Sequence, residues 1–274
     1  MDGPYAEVIG DPITHSKSPL IHNFWLQKLG IEGEYRATCV RPDELRDYFE
    51  SRRADPHWRG CNVTMPLKER VAGFVDHVEE QAQATGAINC VAKADGGLFA
   101  TNTDVWGLFL NLGMFEAKDP VIVIGTGGAA RATLHHLQGI GALEVHVFGR
   151  SQEKAKRLLD EFELYGEAWT LEDRPEILLP MRLINASPLG MSGYPPMPEP
   201  MLALVDSLSR YSGVLDMVYD PVETELLARA RARNLMTANG LAMLVDQARY
   251  AFELFFGAKP GPDMDLELFG RLTS

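Results

Sequence analysis

Short apolar runs alternate along the chain with longer stretches whose apolar residues recur at helical spacing. Such runs predict strands, because a buried strand takes roughly four to eight apolar residues between polar or glycine-containing turns. The alternation favours strand–helix–strand units in which helices cover parallel sheets, an α/β fold. The predicted strands are Ala6–Ile9, Tyr35–Val40, Gly60–Val63, Ile88–Ala92, Val121–Ile124, Glu144–Phe148, Leu183–Asn185, Val214–Asp216 and Leu235–Thr237.

Helical spacing is clearest in two segments. The segment Pro19–Leu29 follows Ser18, which we interpret as its N-cap with Pro19 in the first turn. The segment Gly240–Phe256 has a long apolar face and is predicted to dock back on the N-terminal part of the chain. We therefore predict two domains, one of residues 1–104 together with 239–274 and an inserted one of residues 105–238.

Composition narrows the class of protein. The chain has 274 residues, 46% of them hydrophobic, and a net charge of −12, which disfavours nucleic acid and anionic lipid as partners. The cysteines, Cys39, Cys61 and Cys90, are odd in number without CxxC spacing, which favours buried thiols in a reducing compartment. The first residues lack a basic segment followed by an apolar one, so we expect no signal peptide. No apolar run of about 18 residues is present, so we expect a cytoplasmic protein without a membrane partner.

A glycine-rich turn follows the predicted strand Val121–Ile124. It matches G-x-G-x-x-A and precedes a predicted helix, Arg131–Leu137, which is the context a dinucleotide-binding turn requires. The turn allows the backbone to approach a pyrophosphate, and the N-terminus of the helix supplies N–H groups and partial positive charge. The alternative is a tight turn without a ligand. The turn residues are Gly125, Thr126, Gly127, Gly128 and Ala129.

The next predicted strand ends in basic and hydroxyl residues. An NAD site usually has an acidic residue here for the ribose 2′-hydroxyl, whereas this chain has Arg150, Ser151 and Lys154. Hydrogen bonds to charged groups contribute about 1.5–3 kcal/mol each, so two of them favour a 2′-phosphate by about a hundredfold or more. We predict NADP over NAD. Alternatively, Ser151 only caps a helix while Arg150 and Lys154 are solvated.

Three polar clusters lie outside the predicted cofactor domain. They span Gly10–Asn23, Asn62–Lys68, and Gly86–Asn89 with Asn102–Asp104, and each joins a strand end to a loop. Loops at the carboxyl ends of strands bind ligands in open α/β sheets. Serine, threonine, asparagine, lysine and aspartate side chains suit a small polyhydroxylated molecule, with Lys68 as the cationic acid–base candidate. Without the rest of these clusters, Lys68 would be interpreted as a surface lysine. Ser18 and Asp104 would be interpreted as helix caps.

Together with three later motifs, these clusters resemble the shikimate dehydrogenase family from Val8 to Phe256. The later motifs are Asn185–Met191, Asp216–Pro221 and Gly240–Gln247. The resemblance implies an N-terminal α/β substrate domain and a Rossmann-type dinucleotide-binding domain with the active-site cleft between them. It also implies reversible, NADPH-dependent reduction of 3-dehydroshikimate to shikimate, in the shikimate pathway of aromatic amino acid biosynthesis.

The resemblance also implies roles for individual residues. Lys68 and Asp104 would form the catalytic pair, and Ser16 and Ser18 would bind the substrate carboxylate. The residues that would hold ring hydroxyls are Thr64, Asn89, Asp104 and Gln247, with Tyr219 nearby. The residues that would bind the cofactor are Gly125, Thr126, Gly127, Gly128 and Ala129 at the diphosphate, Arg150, Ser151 and Lys154 at the 2′-phosphate, Met217 and Gly240 at the nicotinamide, and Glu80.

The chain departs from the family pattern in three places. Gly149 stands where asparagine is common, Lys154 where arginine is frequent, and Thr101 replaces a common glycine. Because lysine lacks the bidentate fork of arginine, the preference for NADP is expected to be narrower than usual.

Several alternatives remain open from the sequence. One is a quinate/shikimate dehydrogenase with relaxed cofactor use, and another is a non-catalytic NADP-binding sensor on the same fold. His15 and His22 have no partner ligands at metal spacing, so we predict no metal site. The protein is expected to act as a monomer or homodimer, and the sequence leaves open which of Lys68 and Asp104 carries the proton.

Overall fold

The structure, a computed structural model, describes residues 3–112, 120–175 and 182–273. Contacts divide the chain into two compact units: unit 1 comprises residues 1–106 and 245–274, and unit 2 comprises residues 107–244. The first unit contains the strands β1 (Tyr5–Gly10), β2 (Glu34–Cys39), β3 (Trp58–Val63), β4 (His77–Val78), β5 (Cys90–Ala94) and β6 (Gly97–Thr101). Its helices are α1 (Ser18–Leu29), α2 (Leu45–Ala54) and α3 (Glu80–Thr85), with short 3₁₀ turns at Pro42–Glu44, Val71–Phe74 and Pro262–Met264.

The strands of unit 2 are β7 (Val121–Ile124), β8 (Val145–Gly149), β9 (Gly166–Thr170), β10 (Arg182–Asn185), β11 (Gly213–Asp216) and β12 (Met236–Asn239). Its helices are α5 (Gly128–Gly139), α6 (Gln152–Glu161), α7 (Glu199–Ser207) and α8 (Glu225–Ala232). Two helices cross the limits between the units, α4 (Asp104–Leu112) and α9 (Gly240–Phe256), and α10 (Asp265–Thr273) returns to unit 1.

Unit 1 is built on a mixed sheet with the strand order β2-β1-β3-β5-β6-β4. β1 pairs parallel with β2 and β3, whereas β5 pairs antiparallel with β3 and β6. The expectation of a parallel sheet is therefore wrong for this unit, because Asp95-Gly96 forms a two-residue turn that closes β5 and β6 into a hairpin. As β5 is reversed, its beginning lies at the same edge of the sheet as the carboxyl ends of β1, β3 and β6. We call this edge the polar edge.

Both faces of the unit 1 sheet are buried, as the alternation along β1 requires. Ile9 packs with Val63 in the cluster on one face, and Val8 packs with Ala92 and Phe255 in the cluster on the other. Because successive strand residues point to opposite faces, a strand that is buried throughout needs a cover on both sides. The charged member of β1, the buried Glu7, is paired with Arg52 and Tyr48. Helix α9 supplies Phe255 to the second face.

Unit 2 contains a parallel sheet with the strand order β9-β8-β7-β10-β11-β12. This is the order of doubly wound dinucleotide-binding domains, so the predicted Rossmann-type domain is confirmed. The order reverses between β7 and β10, and ligands bind at the carboxyl ends of strands at such a reversal. The glycine-rich turn lies directly after β7, at this point of reversal.

Every predicted strand is present, with ends shifted by at most two residues. β4 and β9 were not predicted, whereas β6 belongs to the segment Val91–Thr101, whose pattern is that of a hairpin and which does form one. β9 has only one large apolar residue, Trp169, and lies half-exposed at an edge of its sheet, so it lacks an apolar run. The predicted N-cap at Ser18 is wrong by one residue: Lys17 is the N-cap of α1, and Ser18 is its first helical residue.

His22 lies in the core of unit 1 on the inner face of α1. Its ring stacks on that of Tyr35 at 3.9 Å and meets Trp25 edge-on at 5.7 Å. Neither ring nitrogen has a hydrogen-bond partner among the described residues. Burial opposes the charged imidazolium and lowers the pKa of His22 to about 3.

Replacing His22 by phenylalanine should flatten the loss of stability in acid. As pH falls below about 6.5, the unfolded chain binds a proton at His22 that the folded protein does not bind until about pH 3. The unfolding free energy therefore falls by about 1.4 kcal/mol per pH unit through this residue. From about pH 7.5 to about pH 5, His22→Phe should gain about 2 kcal/mol relative to the unmodified protein in urea titrations.

Parallel profiles for His22→Phe and the unmodified protein would contradict the proposed neutral state of His22.

Candidate active site

The polar edge brings together segments that are far apart in sequence. Lys68 lies in the turn that follows β3, Asn89 directly precedes β5, and Asp104 follows β6 at the start of α4. The turn that carries Lys68 is anchored by the buried Leu67 and by the Ile88 N–H, which donates to the Lys68 carbonyl at 2.8 Å. These backbone contacts fix the three segments side by side.

Lys68 and Asp104 form a partly buried ion pair. Lys68 Nζ donates to Asp104 Oδ2 at 2.5 Å, and the two side chains are only 16% and 9% exposed. Lys68 is therefore not a solvated surface lysine. A cation and a carboxylate held this close can share a proton with a bound hydroxyl or carbonyl group.

Asn89 holds the other oxygen of the Asp104 carboxylate. Its Nδ2 donates to Asp104 Oδ1 at 2.8 Å, and its Oδ1 accepts from the Thr103 backbone N–H at 2.7 Å. Since a backbone N–H can only donate, this contact fixes which end of the amide faces Asp104. The carboxylate is thereby held at both oxygens.

Thr103 and Asn62 belong to this network, although neither was among the predicted site residues. Thr103, fully buried, donates from Oγ1 to Gln247 Oε1 at 3.1 Å, which ties helix α9 to the polar edge. Asn62 accepts from the Tyr35 hydroxyl at 2.6 Å and donates to the Asn89 carbonyl at 3.3 Å. Both residues lie inside the polar clusters of the sequence, and this position is the feature from which their part in the site could have been predicted.

The loop after β1 carries Ser16 and Ser18. Ser16 Oγ accepts from the Ser18 N–H at 3.3 Å; Ser18 is buried, whereas Ser16 is half-buried. Thr64 begins the neighbouring turn, and its N–H donates to the Ile9 carbonyl at 2.9 Å. The ends of β1 and β3 therefore lie next to each other, with Ser16, Ser18 and Thr64 in the loops that follow them.

In unit 2, the turn after β7 lies directly against the end of β10. Gly125 has φ +127°, in the region that favours glycine, and a Cβ there would lie 2.7 Å from the Ala186 carbonyl oxygen. Gly127 is the N-cap of α5, and no side chain caps this helix. An uncapped N-terminus behind a glycine turn fits a diphosphate, because its N–H groups and the helix dipole favour an anion.

The end of β8 carries the residues predicted at the 2′-phosphate. Ser151 is the N-cap of α6 and accepts from the Lys154 N–H at 3.2 Å, so its capping role is real. Arg150 is exposed and Lys154 half-buried. The departure at Gly149 has a steric basis, because a Cβ there would lie 2.6 Å from Thr126 Cγ2.

A buried carboxylate at the end of β11 links the end of β10 to the loop after β11 and to the start of α8. Asp216 accepts from Asn185 Nδ2 at 2.8 Å, from the Val218 N–H at 3.0 Å and from Thr224 Oγ1 at 2.6 Å. Burial raises the pKa of Asp216, opposed by these three hydrogen bonds. The loop that Asp216 fixes carries Met217 and Tyr219, both half-buried, and the Gly240 N–H donates to the Val218 carbonyl at 3.2 Å.

Glu80 begins α3 and is exposed, unlike the buried Asn89 and Asp104 of the polar edge. Its role in cofactor binding stays a prediction.

Within the described residues, no group of three or more His, Cys, Asp or Glu side chains is arranged to hold a metal ion. The described helices also include none with the length and apolar character needed to cross a membrane.

Sequence comparisons identify relatives over nearly the whole chain. A profile described as the shikimate dehydrogenase substrate binding domain matches residues 8–91, and one described as shikimate / quinate 5-dehydrogenase matches residues 112–187. The shikimate dehydrogenase (NADP(+)) of Sphingopyxis alaskensis is 47% identical over 274 residues, which cover 99% of this chain and 97% of the relative.

Solved structures agree with these matches. The shikimate 5-dehydrogenase of Thermus thermophilus in complex with NADP(H) and shikimate has a TM-score of 0.80 at 35% identity, covering 98% of this chain and 99% of that one. The enzyme of Listeria monocytogenes in complex with shikimate and NAD has a TM-score of 0.84 at 30% identity, covering 97% and 96%.

The contact between Gly149 and Thr126 predicts a compensating pair of substitutions. Gly149→Ala should lower the unfolding free energy by about 1–3 kcal/mol, because the new methyl group overlaps Thr126 Cγ2. Thr126→Ser removes that methyl group and should restore most of the loss in the double variant, as measured by chemical denaturation.

A Cβ at Gly139, in the same unit, would meet no atom within 4 Å, so Gly139→Ala serves as the control and should not destabilise the protein. If Thr126→Ser failed to rescue Gly149→Ala, the steric account of Gly149 would be refuted.

Proposed function

The chain belongs to the shikimate dehydrogenase family, and on that premise we propose that it reversibly reduces 3-dehydroshikimate to shikimate with NADPH. This is an oxidoreductase reaction of the shikimate pathway, which leads to the aromatic amino acids. The observation that carries the proposal is the Lys68–Asp104 pair, partly buried and held at both carboxylate oxygens.

Lys68 acts on the oxygen of the reacting carbon. Negative charge develops on this oxygen during reduction, and the Lys68 ammonium stabilises it and donates the proton. In the reverse direction the neutral amine accepts the proton of the hydroxyl group. Asp104 orients Lys68 through Oδ2, and Asn89 keeps the carboxylate from rotating. The bound nicotinamide supplies or accepts the hydride.

The substrate ring is held by the other side chains of the polar edge. Ser16 and Ser18 donate to its carboxylate, close to the N-terminus of α1, whose dipole favours an anion. Hydroxyl groups on the ring suit amide and hydroxyl partners, which both donate and accept. The residues proposed for them are Thr64, Asn89, Asp104 and Gln247, with Tyr219 nearby.

The cofactor is NADP, held by unit 2. The turn from Gly125 to Ala129 accepts the diphosphate, which the uncapped N-terminus of α5 supports. Arg150, Ser151 and Lys154 bind the 2′-phosphate; Ser151 does so while also capping α6. Met217 and Gly240 line the nicotinamide side. From unit 1, Glu80 is also proposed to bind the cofactor.

The two domains take different ligands. Residues 1–104 with 239–274 form the substrate domain, and residues 105–238 form the cofactor domain. The proposed domain boundaries lie within a few residues of the boundaries between the two compact units. The boundaries between the units fall inside α4 and α9. We also propose that the protein is a cytoplasmic monomer or homodimer. Its net charge of −12 disfavours nucleic acid as a partner.

The test of this function combines each of shikimate and quinate with NADP and NAD and follows absorbance of the reduced nicotinamide. Shikimate with NADP should give the highest kcat/KM. Preference for quinate would instead favour the quinate activity that the family description also contains. NADPH binding without turnover would favour a sensor.

In the same assay, Lys68→Ala should lower kcat by about two to four orders of magnitude, the usual contribution of a positioned acid–base group. NADPH affinity, measured by its fluorescence, should stay near that of the unmodified protein, since Lys68 belongs to the substrate site. Near-normal kcat in this variant would contradict the role of Lys68.

Arg150→Ala should weaken the binding of NADP far more than the binding of NAD, because only NADP carries the phosphate that the guanidinium pairs with. We expect KM for NADP to rise about tenfold or more, the equivalent of one charged hydrogen bond. The exposed Arg157 of α6 supplies the control Arg157→Ala, which should change neither value. Equal losses for the two cofactors would remove the 2′-phosphate argument.

A further inference from the structure

The C-terminal helix α10 contributes no residue to the proposed substrate site, yet it is held firmly in unit 1. Leu268 and Leu272 bury its apolar face. Charged contacts link it to two neighbouring helices: Glu267 pairs with Lys28 of α1 at 2.6 Å, and Asp265 pairs with Arg249 of α9 at 2.7 Å.

The carboxyl end of α10 also receives a side chain from the serine loop. Lys17 Nζ donates to the Leu272 carbonyl oxygen at 2.6 Å, across 255 residues of sequence. The last four carbonyls of a helix have no partner within the helix, and a cation there also meets the negative end of the helix dipole. The contact is therefore a charge-assisted hydrogen bond at a favourable place.

Lys17 stands between the two serines, so a tether on its side chain acts on both. Its carbonyl oxygen accepts from the Ile21 N–H at 3.2 Å, which fixes it to the first turn of α1. Ser16 Oγ in turn accepts from the Ser18 N–H across it. With the backbone held to α1 and the ammonium group held to α10, the Cα of Lys17 is fixed from two sides.

We propose that Lys17 is a positioning residue and that α10 is the support through which it aligns Ser16 and Ser18 for the substrate carboxylate. This inference rests on the proposed function, because it takes the two serines as ligands of that carboxylate. Lys17 acts through the loop and does not bind the substrate itself.

The first test compares Lys17→Met and Lys17→Arg by steady-state kinetics with shikimate and NADP. Methionine keeps the length of the side chain without the charge, so KM for shikimate should rise about tenfold, the equivalent of one charged hydrogen bond. The values of kcat and KM for NADP should stay near those of the unmodified protein. Arginine can donate to the same carbonyl and should restore most of the loss.

Lys93 provides a matched control away from the serine loop. Its ammonium group likewise donates to backbone carbonyls at the end of a helix, those of Arg53 and Asp55 at α2. Lys93→Met should leave KM for shikimate unchanged. A rise in KM equal to that of Lys17→Met would show a general effect of losing such a tether and would overturn the proposal.

A double-mutant cycle separates action through α10 from direct contact with the substrate. Asp265→Asn loosens α10 at its other end without touching the loop, and it should raise KM for shikimate on its own. If Lys17 acts through α10, the double variant with Lys17→Met should be no worse than Lys17→Met alone. Fully multiplied effects would mean that Lys17 acts independently of α10 and would overturn the proposal.

The outcome also distinguishes this inference from the function on which it rests. Turnover of shikimate with NADP, together with an unchanged KM in Lys17→Met, would overturn the positioning role and leave the proposed function standing. If the unmodified protein does not turn over shikimate with either cofactor, both fail.

Discussion

The ion pair between the Lys68 ammonium and the Asp104 carboxylate is the interaction on which the arrangement of the polar edge depends. Removing two charges from water is costly, and their attraction offsets that cost only when the remaining hydrogen-bonding atoms are also satisfied. Asn89 meets this requirement for Asp104, and Thr103 meets it for Asn89. Side chains from separate strand ends thus support a single charge pair, and the mixed direction of the strands brings those ends together.

Most of the fold could be predicted from local patterns in the sequence. The apolar run Val121–Ile124 with the glycine turn behind it is readable because both signals lie within a dozen residues and each has a direct steric or burial cause. β9 was missed because it is half-exposed and has no apolar run. The antiparallel pairing of β5 with β3 was missed because the hairpin pattern of residues 91–101 does not report which other strand β5 pairs with.

The site was predictable as a set of clusters, but not in all its members. Lys68 and Asp104 do meet, and Asn89 joins them. Thr103 was passed over because its partner Gln247 lies 144 residues further along the chain. Spacing alone cannot show which hydroxyl in a polar cluster points inward. Gly149 was noted only as a departure, and its cause became visible once Thr126 was found beside it.

The hairpin of β5 and β6 has one end that carries catalytic residues and one end that is free to vary. Asn89 directly precedes β5 and Asp104 follows β6, so both lie at the same end of the hairpin. Its tip, Asp95-Gly96, lies at the opposite end of these strands and is exposed. A longer or different turn at this tip leaves the positions of Asn89 and Asp104 unchanged. Insertions at the tip, whether they arise in evolution or by design, should therefore not affect catalysis.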